Sequence, residues 1–84
     1  MTECNGWKNH QTWNVALWIG NEEPLYRAAV DYAQKPRRRG GATYMGFIWS
    51  MGLEGVRTPD NVSFSGTRLC LRELNGMIQE LAND

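Results

Sequence analysis

The chain has 84 residues, the length of one small domain, and we expect residues 1–84 to fold as a single unit. Nine basic and nine acidic side chains cancel, so no global field draws the chain onto nucleic acid or an anionic membrane. Two distant cysteines, Cys4 and Cys70, and a single histidine exclude a zinc site of two cysteines and two histidines, or of three cysteines and one histidine.

The opening segment and the two cysteines predict a protein of the reducing cytoplasm. Residues 1–10 contain no apolar leader, and we expect them to be flexible. The longest weakly polar run, Tyr44 to Leu53, is about half the length needed to cross a bilayer. A disulfide between Cys4 and Cys70 is possible in principle, but no spacing pattern supports it.

The first predicted element is the segment TWNVALWI, from Thr12 to Ile19. A helix capped by Thr12 would place four residues on one face: Trp13, Ala16, Leu17 and Gly20. A strand would instead alternate, with Trp13, Val15, Leu17 and Ile19 on one side. Periodicity alone leaves both open.

The next segment favours the helix. Asn21 can end one helix and cap another, with Glu22, Glu23 and Pro24 in the new first turn. A second helix to about Gln34 has an apolar stripe made of Leu25, Ala28, Ala29, Tyr32 and Ala33. We therefore predict a helical hairpin over residues 12–34.

Residues 35–41, KPRRRGG, form a predicted basic loop, because one proline, four cations and two glycines interrupt the helical pattern. After the loop, Thr43 can cap a third helix in which Tyr44, Phe47, Ile48 and Met51 share a stripe. Gly46 and Gly52 either permit close approach of a neighbour or weaken this helix.

The last third of the chain predicts a turn followed by a helix. Residues 58–61, TPDN, have turn composition, and residues 62–64 are at most a short extended segment. A terminal amphipathic helix from Thr67 to Ala82 carries a stripe of Leu71, Leu74, Ile78 and Leu81. The predicted fold is a mainly α, single-domain bundle of three to four helices.

The tryptophans of the first element raise a functional question. Trp13 and Trp18 are five residues apart, which is about 140° around a helix axis and an odd number of steps along a strand. They cannot share a face, so the element is either covered on both sides or presents one indole outward. Trp7 and Trp18 are the candidates for a binding surface. His10 and Asn14 can be structural or part of a site.

Patterns typical of catalysis are sparse. Cys4 and His10 have no spacing signature for a nucleophile and base, and the sequence contains no nucleotide-binding glycine loop, metalloprotease or hydrolase motif. We expect a protein that is not an enzyme and has no cofactor or metal.

The basic loop is the main local charge feature. Lys35, Arg37, Arg38 and Arg39 can bind phosphates or carboxylates, or can simply form a solvated loop. No recognition helix with basic and amide side chains accompanies them, which argues against sequence-specific DNA binding.

Two motifs carry a resemblance. The segment NHQTWNVALWIGNEEPLY resembles a pattern N-H-x-T-W-N-V-x-L-W-I-x-N, then an acidic pair and L-Y, in a group of small proteins of bacteriophages and bacteria with no established activity. The matching residues are Asn9, His10, Thr12, Trp13, Asn14, Val15, Leu17, Trp18, Ile19, Asn21, Glu22, Leu25 and Tyr26. A later T-P-D-G-V element matches at Thr58, Pro59, Asp60 and Val62, with Asn61 in place of glycine.

The resemblance implies, by analogy, a phage or mobile-element accessory protein that inhibits a host machine stoichiometrically, such as an anti-CRISPR or other anti-defence factor. Its expected partner is a host protein or complex, for example a CRISPR effector. Contacts would come from Trp7 and Trp18, with Lys35 and Arg37 to Arg39 steering toward an acidic or phosphate-lined surface. One alternative is a small nucleic-acid-binding module using the arginine loop. Another is a structural homo-oligomer subunit.

Overall fold

Helices account for nearly all the regular secondary structure in this computed structural model, which describes residues 6–35 and 41–83. The bounds are α1, His10–Asn21; α2, Glu23–Gln34; α3, Tyr44–Met51; and α4, Leu71–Leu81. Within the described ranges there is no strand, and the extended backbone near residues 62–64 makes one isolated antiparallel bridge, between Arg57 and Ser63. The predicted mainly α bundle is confirmed.

The N-cap of helix α1 lies three residues earlier than predicted. Asn9, not Thr12, is its N-cap, and the Asn9 side chain accepts a hydrogen bond of 2.8 Å from the Thr12 amide. The predicted inner face was wrong except for Ala16, since the buried residues are Thr12, Asn14, Val15, Ala16 and Ile19. Thr12 and Asn14 have polar partners inside the protein, so α1 is rotated away from the face that hydrophobicity alone favours.

The helical hairpin of α1 and α2 is confirmed. Helix α1 ends at Asn21, and the Glu22 amide donates to the Trp18 carbonyl at 3.0 Å. Glu22 rather than Asn21 is the N-cap of α2, so the predicted cap was wrong by one residue. Pro24 lies in the first turn, where its missing amide hydrogen costs no helical bond. The predicted α2 stripe is buried or half-buried throughout.

Helix α3 begins at the cap that its sequence predicts, and it ends at a glycine. Thr43 Oγ1 accepts from the Gly46 amide at 3.1 Å, and Gly52 ends the helix with a φ of 70°. A Cβ at Gly46 would overlap the Tyr32 hydroxyl, so glycine lets α2 and α3 approach closely here.

Helix α4 is shorter than predicted, because it begins at Leu71 rather than Thr67. Residues 67–70 form an irregular segment instead, and α1 ties it down by a bond of 2.9 Å from the Cys70 amide to Thr12 Oγ1. Leu74 and Ile78 are fully buried, whereas Leu71 at the start of the stripe is exposed.

The core lies where α4 crosses the other three helices. Its largest apolar side chains come from α1, α3 and α4: Val15, Ile19, Tyr44, Phe47, Ile48, Leu74 and Ile78. Each is almost completely removed from water, which is the main favourable contribution to folding in a chain of this length. In the described part of the chain, no helix is long and apolar enough to span a bilayer.

Candidate functional site

A buried amide on α1 connects this helix to the loop of residues 57–70, which precedes α4. Asn14 is 1% exposed. Its Nδ2 donates to Asp60 Oδ2 at 2.8 Å, and its Oδ1 accepts from Thr58 Oγ1 at 2.7 Å. Both ends of the amide are therefore bonded to the T-P-D-N turn. Asn14 is a satisfied structural group, which was one of the two readings of this residue.

The turn holds its own shape through Thr58. Thr58 Oγ1 accepts from the amides of Asp60 and Val62, each at 3.2 Å, and the Thr58 carbonyl accepts from the Asn61 amide at 2.7 Å. Asn61 has a φ of 68°, a left-handed conformation that glycine and asparagine adopt most readily. This explains why asparagine can stand where the resembling proteins have glycine.

Asp60 receives a second donor from α1, because Trp18 Nε1 donates to the same Oδ2 at 3.0 Å. The hydrogen bond from Asn14 holds the pKa of the Asp60 carboxyl below its ordinary value, and the bond from Trp18 and the nearby His10 act in the same direction. Asp60 is thus a carboxylate at neutral pH, and the polar edge of the Trp18 indole is occupied inside the protein.

The other end of the loop is fixed by the cap of α1. Asn9 Nδ2 donates to the Arg68 carbonyl at 2.7 Å, while Asn9 Oδ1 accepts from Thr12 Oγ1 at 2.7 Å. Together with the bond from the Cys70 amide to Thr12, these contacts hold residues 68–70 against the start of α1. The first motif therefore holds the loop of residues 57–70 in place. Its side chains bond to this loop or to one another, namely those of Asn9, Thr12, Asn14 and Trp18.

The residues predicted to bind a partner lie in separate surroundings. Trp7 is half-buried and packs on the core, beside a groove along α4 that includes Met77. Trp18 is half-buried beside Asp60. Lys35 is exposed, with Nζ 3.6 Å from the Asp31 carboxylate. Arg37, Arg38 and Arg39 lie outside the described residues, as does Cys4.

Trp13 and Trp18 both lie on α1, where a separation of five residues places them about 140° apart around the axis, so their indoles diverge. Trp13 is half-buried, and its ring centroid is 5.4 Å from that of His10. Neither indole is fully covered and neither is free in water. Helix α1 is therefore intermediate between the two arrangements expected from the sequence, a helix covered on both sides and a helix that presents one indole outward.

Among the described residues, the most exposed large apolar side chain was not singled out from the sequence. Trp49 is 65% exposed on α3, and Met51 and Val56, which follow closely along the chain, are 43% and 42% exposed. Met51 was expected on the buried stripe, but it lies in the last position of the helix, where the core no longer covers it.

The sequence contained a signal for the exposure of Trp49. Tyr44, Phe47 and Ile48 already fill the buried face of α3, and Trp49 is five residues from Tyr44, about 140° around the axis. A short helix that is apolar on every side leaves part of that surface for solvent or a partner.

The described residues place no group of three or more histidine, cysteine or acidic side chains together as metal ligands. Tyr44 is a buried titratable group, and burial raises the pKa of its phenol. Its hydroxyl donates to the Phe64 carbonyl at 2.6 Å, which ties the loop to α3. This hydrogen bond has a structural role.

Comparison with known proteins gives one match. No curated protein and no solved structure is significantly similar to this chain. A family model matches residues 1–84, the whole length of the sequence. On this basis the chain belongs to DUF7249, a family of unknown function.

Proposed function

We propose that this chain is a phage or mobile-element accessory protein that binds a host protein stoichiometrically and inhibits it, as an anti-CRISPR or other anti-defence factor does. The exposure of Trp49 is the observation that carries the proposal. Tryptophan is among the residue types most enriched at interface hot spots, and Trp49 has most of its indole available to a partner.

The four tryptophans differ in how much of each side chain is exposed. Trp7, Trp13 and Trp18 are half-buried, and Trp18 is bonded to Asp60, so a partner could reach only part of each ring. Trp49 presents most of its surface on a helix whose opposite side, through Tyr44 and Phe47, is locked into the core. A rigidly mounted aromatic loses little conformational entropy on binding. Trp49 is therefore the proposed anchor, with Trp7 and Trp18 as secondary contacts.

The resemblance to small phage and bacterial proteins supports the inhibitory role and the host partner. Lys35 and Arg37 to Arg39 would contribute long-range attraction to an acidic surface. Their contribution would be to the rate of association, because attraction between charges across solvent is screened by salt, whereas burial of Trp49 is not.

The test begins with the immobilised chain and lysate of a bacterial host, followed by purification of the recovered protein. With purified partner, Trp49→Ala is expected to weaken binding by about 2 kcal/mol, or roughly thirtyfold. Leu71→Ala, which shortens an exposed apolar side chain on α4, is the matched control and should bind like the wild type. Inhibition of the partner's activity should saturate at a fixed molar ratio.

Three outcomes would overturn the proposal. The first is that no partner binds at a fixed ratio, or that Trp49→Ala and Leu71→Ala weaken it equally. The second is binding of nucleic acid that falls steeply with salt, since this identifies the arginine-loop module instead. The third is sedimentation of the pure chain as a dimer that Trp49→Ala dissociates, because Trp49 would then contact a second copy of the chain.

A further inference from the structure

We infer that the loop between α3 and α4 forms a binding site for a small phosphate monoester, with Arg57 and Arg68 as the two guanidinium groups that hold the phosphate. The site is a surface cavity of about 310 Å³ between this loop and α1. Its residues do not include Trp49, which carries the proposed function, so the two proposals can fail independently.

One wall of the cavity is the small hairpin around the turn. Bonds from the Thr58 amide to the Val62 carbonyl and from the Phe64 amide to the Val56 carbonyl flank the pair Arg57 and Ser63. In such a non-hydrogen-bonded antiparallel pair, the two side chains lie on the same face, about 5 Å apart at Cβ. Arg57 and Ser63 therefore line the cavity from one side, and the Ser63 hydroxyl accepts a hydrogen bond of 3.2 Å from the Ser65 amide.

The opposite wall is the segment before α4. Gly66, Thr67 and Arg68 line it, and Gln11 of α1 contributes an amide. The bond from Asn9 Nδ2 to the Arg68 carbonyl fixes the backbone at this arginine. Arg57 is fixed as well, because its Nη1 donates to the Asn61 carbonyl at 3.1 Å. The Arg68 backbone and the Arg57 side chain are thus each held by a hydrogen bond, which lowers the entropic cost of binding.

The charge of the cavity is uncompensated. Among the described residues no aspartate or glutamate lines it, and neither Arg57 nor Arg68 takes part in an ion pair there. The nearest acid in sequence, Asp60, does not line the cavity and accepts hydrogen bonds from Asn14 and Trp18. In a chain with no net charge, two arginines at one cavity without a carboxylate make a local preference for an anion.

The size and lining of the cavity select the class of anion. Two guanidinium groups match the charge of −1.5 to −2 that a phosphate monoester carries at about pH 7, and their planar donor forks suit phosphate oxygens. The volume lies near the lower limit for small-molecule pockets, so it has room for a compact organic group beside the phosphate. Val62 and Leu69 supply an apolar surface for that group.

The experiment titrates the ¹⁵N-labelled chain with ribose 5-phosphate and follows amide chemical shifts. Saturable shifts confined to the cavity, at Ser63, Gly66, Thr67 and Arg68, are expected. Ribose, which lacks the phosphate, should produce none. Absence of saturable shifts with ribose 5-phosphate and with inorganic phosphate, each to millimolar concentration, would overturn the inference.

Variants locate the binding in the cavity. Arg57→Gln with Arg68→Gln should weaken ribose 5-phosphate binding at least about tenfold, since each loses charge-assisted hydrogen bonds. Arg27→Gln with Arg72→Gln removes the same charge from two exposed arginines outside the cavity and should bind as the wild type does. Equal weakening by both pairs would mean a general charge effect and would refute the site.

A third variant protects the test from misfolding. Arg57 bonds to the turn, so its loss can disturb the loop, but the Arg68 side chain makes no hydrogen bond among the described residues. Arg68→Gln alone should leave thermal unfolding unchanged and still weaken binding several-fold. Unchanged affinity in this variant would contradict the assignment of Arg68.

Discussion

Phe47 in the helical core and Asn14 in the bonds between α1 and the loop are both almost completely buried, at 0% and 1% exposure. Phe47 packs among apolar side chains, and a ring contact with Tyr32 at 5.8 Å is one of many small attractions. Asn14 has two directional bonds, each to a particular atom of one turn. The core can accept another side chain of similar shape, whereas the amide has no close substitute.

The difference separates what supplies stability from what supplies placement. Burial of apolar surface holds the four helices together without specifying any one orientation in detail. The polar bonds decide how α1 is rotated and where the irregular loop lies, because each is lost if its atoms shift by about 1 Å. Three predictions test this division.

The largest effect is expected from Phe47→Ala. It should lower the free energy of unfolding by about 3–5 kcal/mol, because it removes the ring from the centre of the core and leaves a cavity. Urea unfolding followed by far-UV circular dichroism measures this loss. Trp49→Ala on the same helix is the control and should stay within about 0.5 kcal/mol of the wild type. Equal losses in the two variants would contradict the assigned core.

A smaller but more specific effect is expected from Asn14→Ala, about 2–3 kcal/mol, since Thr58 loses its acceptor inside the protein. Thr58→Val removes the other side of the same bond. In a double-mutant cycle of urea unfolding the two changes should be coupled by about 1 kcal/mol or more. If their effects instead simply add, the bond between them contributes no specific stability, and the proposed division between core and network is wrong.

The smallest effect concerns acid. Because the folded pKa of Asp60 is lowered from 3.8, its contribution to stability is fully present above that pH and is lost as the pH falls through the lower folded value. Asp60→Asn keeps an acceptor oxygen but removes the titration, so the urea midpoint should fall less below about pH 4 than in the wild type.

Glu80→Gln is the control for this acid test, since it removes one exposed carboxylate from α4. It should keep the wild-type loss of stability in acid. If Asp60→Asn and Glu80→Gln give the same pH profile, the Asp60 bonds do not contribute to acid sensitivity.

The sequence predicted those parts of the fold that depend on periodicity and local caps. The stripe of α2, the stripe of α3 apart from Met51, the Thr43 cap and the turn at residues 58–61 needed only residues close together in the chain. The rotation of α1 could not be found in this way, since Thr12 and Asn14 look like surface residues until their partners are known. Those partners are Cys70, Thr58 and Asp60, more than 40 residues away.

The candidate sites show the same limit. Trp18 was predicted to contact a partner because tryptophan is enriched at interfaces, but its polar edge is bonded to Asp60, which no spacing rule connects to it. Trp49 lies outside the apolar stripes, so the periodicity of the sequence does not mark it. Arg57 and Arg68 are eleven residues apart with no motif between them, and only the folded loop brings them to one cavity.

The long separation between α1 and its polar partners also has a consequence for synthesis on the ribosome. The Asn14 side chain is made 46 residues before Asp60, and Thr12 is made 58 residues before Cys70. Until those later residues emerge, the amide and hydroxyl must remain hydrated, and a nascent chain that stops short of them has no reason to bury this side of α1. The helical hairpin can form early, but its final orientation is acquired only when most of the polypeptide has left the exit tunnel.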